Sequence, residues 1–178
     1  MHSHPNTTQN KAAAPERREP HSVNTMMMPI IVSVAFAHLL NDSIQAIVTS
    51  SYPILKSAFL LSFTQIGWIA MVYQLTASLL QPWIGLYTDK HPKPYLLPLG
   101  MVVTMIGIGL MSMAPSYSVL LVAAACIGVG SSTFHPEASR IARMASGGKF
   151  GTAQSVFQVG GNAGSALVSG LSLSGYND

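Results

Sequence analysis

His38, Asn41, Asp42, Gln45 and Thr49 stand at i, i+3, i+4, i+7 and i+11 in an otherwise apolar stretch. That spacing places all five on one stripe of an α-helix. An imidazole and a carboxylate one turn apart can hold and pass a proton, and the two amides can hydrogen-bond a polar solute. Val34, Ala37, Leu40, Ile44 and Ile47 form the expected opposite, apolar face. A carboxylate at bilayer depth costs ~2.5–3.5 kcal/mol on insertion scales, so such a group normally faces a polar cavity. The stripe His38, Asn41, Asp42 and Gln45 is therefore expected to line a polar cavity. The competing reading is that Asp42 merely pairs with a neighbouring helix and fixes its packing.

A second group lies in SSTFHPEASRIAR, residues 131–143. Pro136, beside His135, removes a helix hydrogen bond to Ser132 and is expected to kink the segment. Glu137 and Arg140 at i, i+3 can pair on one face, as an interfacial ion pair or as an inner-face charge network that takes part in coupling. If the span ends near residue 138, His135 lies close to the membrane boundary, about half a bilayer or more from Asp42. Ligands must converge within ~2–2.6 Å of one ion. A metal site joining His38, Asp42, His135 and Glu137 is therefore not expected, and no cofactor is.

GLYTDKHPKP, residues 85–94, reads as a tight charged turn. Gly85 permits close helix approach, Asp89 can bond a helix start, and Lys90 and Lys93 anchor a membrane surface. In GTAQSVFQVGGNAGSALVSG, Gly160 and Gly164 form a GxxxG whose default meaning is helix packing, and Gly161, Ser165 and Ser169 continue the small-residue face.

The elements that must position these residues are five apolar spans, at roughly 27–48, 65–86, 95–114, 117–138 and 152–173. Each approaches the ~20 residues a helix needs to cross ~30 Å of hydrocarbon. No span shows the alternation of a membrane β-barrel. The connections are short, apart from the stretch between spans one and two, and short connections make neighbours antiparallel. The fold class expected is all-α, a polytopic membrane helical bundle with residues 26–178 as an incomplete N-terminal transmembrane bundle. Pro29, Pro53, Pro82, Pro98, Pro115 and Pro136 are expected near span ends. Residues 26–50 do not read as a signal peptide, being too long, interrupted by His38, Asn41 and Asp42, and followed directly by further spans.

Composition agrees: 49% of the residues are hydrophobic and 8% charged, against about 25% charged in soluble domains. Eight of the nine basic residues fall on one side of the implied membrane, and Lys56 alone on the other. By the positive-inside rule this puts the N-terminus in the cytoplasm. Residues 1–25 are polar, aperiodic and Pro-containing, the expected disordered cytoplasmic tail. The net charge of +3 is too sparse and scattered for nucleic acid. The lone Cys126 lies inside a span and says nothing about redox compartment. Phosphate loops, HExxH and nucleophile elbows are absent from the sequence, so an enzyme is not expected. Five spans leave any repeat of three plus three incomplete, and the chain is expected to be a fragment of a longer protein.

These residues carry a family resemblance. GLYTDKHPKP resembles the signature loop of the major facilitator superfamily, with Gly85, Asp89 and Lys90 in place, Pro92 where a second Gly is usual and Lys93 one position early. HLLNDSIQAIVTSSYPILK, SSTFHPEASRIAR and SVFQVGGNAGSAL resemble that superfamily's fosmidomycin-resistance branch, and the likeness runs from about Pro29 to Gly170. The resemblance implies a proton-driven efflux permease of the inner (cytoplasmic) membrane, built of two six-helix halves, that exports fosmidomycin or other small compounds. His38, Asn41, Asp42 and Gln45 would then be its substrate and proton pathway, with Asp42 and His38 exchanging the proton. Asp89 would then belong to a loop that steadies a gate. Gly160 and Gly164 would occupy the place of the antiporter motif, whose Pro is absent here. Ala124, Ala125 and Cys126 stand where drug exporters often carry a basic residue. The partners implied are the lipid bilayer, a small-molecule substrate, protons and a missing C-terminal transmembrane half. The alternatives are a facilitator of sugars or metabolites with the same fold and a non-transporting membrane fragment.

Overall fold

Short, well-specified connections cut the apolar chain into helices. A computed structural model describes residues 25–174, with side chains described to residue 172. All but one residue of the expected tail therefore lies outside the described residues. The helices are α1 (Met28–Ser50), α2 (Tyr52–Ala58), α3 (Phe63–Lys90), α4 (Leu96–Ser112), α5 (Tyr117–Met144) and α6 (Phe150–Ser174). No strand occurs among the described residues.

Local chemistry sets the boundaries. Pro29 occupies the first turn of α1, where its missing N–H costs nothing. Ser62 and Gln65 close a reciprocal capping box at the start of α3, with bonds of 2.8 and 3.2 Å. Between α5 and α6 the chain reverses through Gly147 and Gly148, both at positive φ (57° and 86°). The Met27 N–H donates to the Ala145 carbonyl at 2.8 Å, tying the start of α1 to that turn.

The stretch between the first two spans contains the short helix α2. Two expectations are corrected. The second span runs to Lys90 and the fourth to Met144, beyond the expected ends at 86 and 138. At 28 residues each, α3 and α5 are about 42 Å long at 1.5 Å per residue, more than hydrocarbon requires, and hydropathy cannot register the polar overhang. Pro82 and Pro136 accordingly lie inside helices rather than at their ends.

α5 is the axis of the bundle. α3 and α4 pack along it, α1 packs along α6, and α1 and α6 meet α5 across the middle. Glycines allow these approaches, as expected where lipid removes the hydrophobic drive between helices. A Cβ on Gly107 of α4 would stand 2.8 Å from the Ile127 backbone nitrogen, and one on Gly128 would stand 2.6 Å from the Tyr73 carbonyl oxygen. On α6, Cβ atoms at Gly160 and Gly164 would overlap the carbonyl oxygens of Ala35 and Leu39. Large apolar side chains point outward, including Phe36, Leu79, Trp83, Met105 and Val159. That surface suits lipid and would be an aggregation liability in water. Met28–Ala58 and Tyr117–Met144 are each long and apolar enough to cross a membrane by themselves. The molecule is an all-α polytopic membrane bundle.

Candidate functional site

The polar stripe of α1 faces the junction of α1, α5 and α6. His38 is buried, its ring stacked on Phe157 of α6 with centroids 4.1 Å apart. Its Nδ1 lies 2.8 Å from the Phe157 carbonyl oxygen. A carbonyl can only accept, so Nδ1 carries a hydrogen and donates it. The other nitrogen, Nε2, then faces Asp42 Oδ2 at 3.3 Å, one helical turn on. Two lone pairs cannot share that contact, and a proton between them resolves it. Asn41 Nδ2 donates to Asp42 Oδ1 at 3.1 Å.

Asp42 also approaches α5, where His135 Nε2 lies 3.9 Å from Asp42 Oδ1. The His135 ring meets His38 edge-on, at 5.2 Å between centroids. The expected separation of half a bilayer is thus corrected. His38 stands ten residues into α1 from Met28, and His135 nine residues before the end of α5 at Met144. At 1.5 Å per residue both lie about 14–15 Å from the same end of the bundle. The error came from ending that span at 138. Glu137 does not join the group, because it bonds Arg140 instead.

Beyond Asp42 the stripe continues into a network between helices. Gln45 Nε2 donates to Ser131 Oγ of α5 at 3.0 Å, and the Tyr73 hydroxyl of α3 donates to Gln45 Oε1. A cavity of about 250 Å³ opens here, lined by Asp42, Gln45, Thr49, Tyr73, Ser165 and Ser169, among others. Asn41 is buried on another side of α1, beside Met101 and Thr104 of α4, away from this cavity. Val34, placed by its spacing on the opposite apolar face, is buried one turn before His38 against Phe134 and Phe157.

Gly161 walls the site from α6. A Cβ there would come within 2.5 Å of the His38 ring and 2.6 Å of Asp42 Oδ2. The GxxxG pair Gly160 and Gly164 brings α6 close enough for that wall and for the Phe157 carbonyl to reach His38. Sequence reasoning had marked Gly161, Ser165 and Ser169 only as a small-residue face. Tyr73, Ser131 and the Phe157 carbonyl it did not single out, and a backbone acceptor leaves no signature in side-chain type.

The second cluster lies toward the end of the bundle carrying the α3–α4 and α5–α6 turns. Glu137 is completely buried, and Arg140 meets it with two bonds, Nη2 to Oε2 at 2.8 Å and Nε to Oε1 at 3.4 Å. The backbone of Gly85 abuts Pro136, 3.7 Å from a Cβ built there. A cavity of about 210 Å³ is lined by Gly85, Thr88, Asp89, Pro136, Ser139, Arg140 and Arg143. Asp89 borders this cavity but makes no ion pair among the described residues. Lys90 ends α3, and Lys93 approaches the Tyr95 ring at 6.0 Å.

Comparison with known proteins places this geometry in a lineage. The chain is 54% identical to the Fosmidomycin resistance protein of Escherichia coli (strain K12) over 138 residues, covering 78% of this chain and 34% of that protein. It is 46% identical to the uncharacterized MFS-type transporter YfnC of Bacillus subtilis (strain 168) over 144 residues, covering 81% of this chain and 35% of that protein. The chain thus spans about a third of the length of these relatives. No solved structure matches it. Residues 34–176 match the model of the Major Facilitator Superfamily, and this helical chain, with its polar seam between α1, α5 and α6, belongs to that superfamily of membrane transporters.

Proposed function

We propose that the chain supplies the N-terminal helices of a proton-coupled efflux permease that exports fosmidomycin or similar small compounds. The observation that carries this reading is the His38–Asp42 contact at the edge of a polar cavity, where Nε2 and Oδ2 need a proton between them. Exchange of that proton makes the pair a coupling site. Gln45 and Tyr73 border the cavity and offer hydrogen bonds to a solute. In alternating access the two six-helix halves rock about a midplane site, and α1 supplies much of its lining from this half. Gly85, Asp89, Lys90 and Lys93 form a gate loop against Pro136. Glu137 and Arg140 form a charge network that breaks and reforms as the gate moves, with Asp89, across the cavity that Arg140 also lines, as the partner it gains. The assembly resides in the inner membrane with its N-terminus in the cytoplasm, as the distribution of Lys and Arg supports.

The test is transport in everted membrane vesicles. The chain is co-expressed with the remaining segment of the Escherichia coli relative, and fosmidomycin-dependent proton flux is followed with a pH-sensitive dye. Flux that collapses when the proton gradient is dissipated supports the reading. Solute movement indifferent to the gradient identifies a facilitator instead.

One observation favours a second reading for the chain by itself. Among the described residues the cavity beside Asp42 is walled by α1, α3 and α6, and the chain spans about a third of its relatives. Alone it inserts in the membrane without transporting. Vesicles containing only this chain then show no flux.

A further inference from the structure

His38, Asp42 and His135 each offer one ligand-type atom, and these atoms all lie within 4.8 Å of one another. Tetrahedral zinc at ~2.0–2.1 Å from its ligands separates them by about 3.4 Å. His38 Nε2 and Asp42 Oδ2, 3.3 Å apart, already meet that figure, and His135, 3.9 Å from Asp42 Oδ1, has to move inward on binding. A second, independent observation concerns the orientation of His38. Histidine ligands usually donate their other ring N–H to a carbonyl or carboxylate, which fixes the tautomer and aims the free lone pair. The Phe157 carbonyl performs that role here, bonding Nδ1 and leaving Nε2 aimed at the cluster.

We infer that these three side chains form a binding site for a divalent transition-metal ion of the zinc or cobalt kind. Two imidazoles and one carboxylate suit such borderline ions better than magnesium or calcium, which take oxygen ligands. The fourth position opens where Asp42 borders the polar cavity, leaving room for water or a solute donor. Among the described residues, no other ionisable group competes for the ion at this level. Residues 150–174 of α6 carry none, Tyr73 of α3 is bonded to Gln45, and Glu137 of α5 is bonded to Arg140. Because His38 and Asp42 sit on α1 and His135 on α5, a bound ion ties α1 to α5.

This site uses the residues of the proton reading but rests on their geometry alone, so either can fail without the other. The experiment titrates Co²⁺ into the detergent-purified chain, in a background with His2, His4, His21 and His91 replaced by alanine. Expected are one Co²⁺ per chain, visible absorption bands of a four-coordinate ion, and displacement by Zn²⁺. Asp42→Asn and His135→Ala each weaken binding at least tenfold while helical circular dichroism is retained. Should either variant fail to fold, X-ray absorption of the zinc-loaded background chain decides, two imidazoles in the first shell being the expected result. Absence of stoichiometric binding, binding unchanged by both substitutions, or a first shell without imidazole overturns the inference.

Discussion

The Nδ1–H of His38 donates to the carbonyl oxygen of Phe157 across 2.8 Å, joining α1 to α6 and deciding what the other side of the imidazole can do. With Nδ1 committed, Nε2 is the only nitrogen left for Asp42 at 3.3 Å. The close approach that allows this bond comes from Gly160 and Gly164, whose backbones abut the carbonyls of Ala35 and Leu39. A packing motif and a chemical site are thus parts of one arrangement.

Two glycines on one face-changing stretch of α4 test the packing. Gly107→Ala places a methyl 2.8 Å from the Ile127 nitrogen, and overpacking of that kind costs about 1–3 kcal/mol. Gly109→Ala meets nothing within 4 Å and gains about 0.5–1 kcal/mol of helix stability. Thermal unfolding in detergent should therefore move in opposite directions for the two variants.

Arg140→Ala leaves Glu137 fully buried without its partner. Breaking such a pair costs about 3–5 kcal/mol. The double variant Glu137→Gln/Arg140→Ala removes the stranded charge and recovers a substantial part of that loss. Folded yield and unfolding temperature of the single and double variants measure it.

Tyr73→Phe removes the donor to Gln45 Oε1. The cost is about 0.5–1.5 kcal/mol in stability. Because Gln45 and Tyr73 both border the cavity, solute affinity in the assembled permease should fall several-fold while membrane insertion is unchanged. Affinity equal to that of the wild type would remove Tyr73 from the solute path.

The His38–Asp42–Gln45 part of the α1 stripe was legible because helical spacing is written directly in residue order, whereas Asn41 turns toward α4, a neighbour that spacing does not name. The packing glycines were legible from spacing too. His135 was misplaced because hydropathy ends a span where charges begin, whereas α5 stays helical through Glu137, Arg140 and Arg143 to Met144. Glu137 is neutralised by Arg140 one turn on, so its charge does not end the helix. The Phe157 carbonyl and the Tyr73 hydroxyl were illegible because their roles depend on which helices become neighbours. Family resemblance was legible in the FHPEASR and FQVGGNAG segments, and the match over residues 34–176 establishes the superfamily.

The most direct test of the proposed coupling site is Asp42→Asn in the co-expressed permease, with fosmidomycin-dependent proton flux measured in everted vesicles. The amide keeps the shape of the side chain but cannot take up and release a proton as the proposed coupling requires of the carboxylate. Flux should vanish while the amount of protein in the membrane stays at the wild-type level. Wild-type flux from the Asp42→Asn variant would contradict the account.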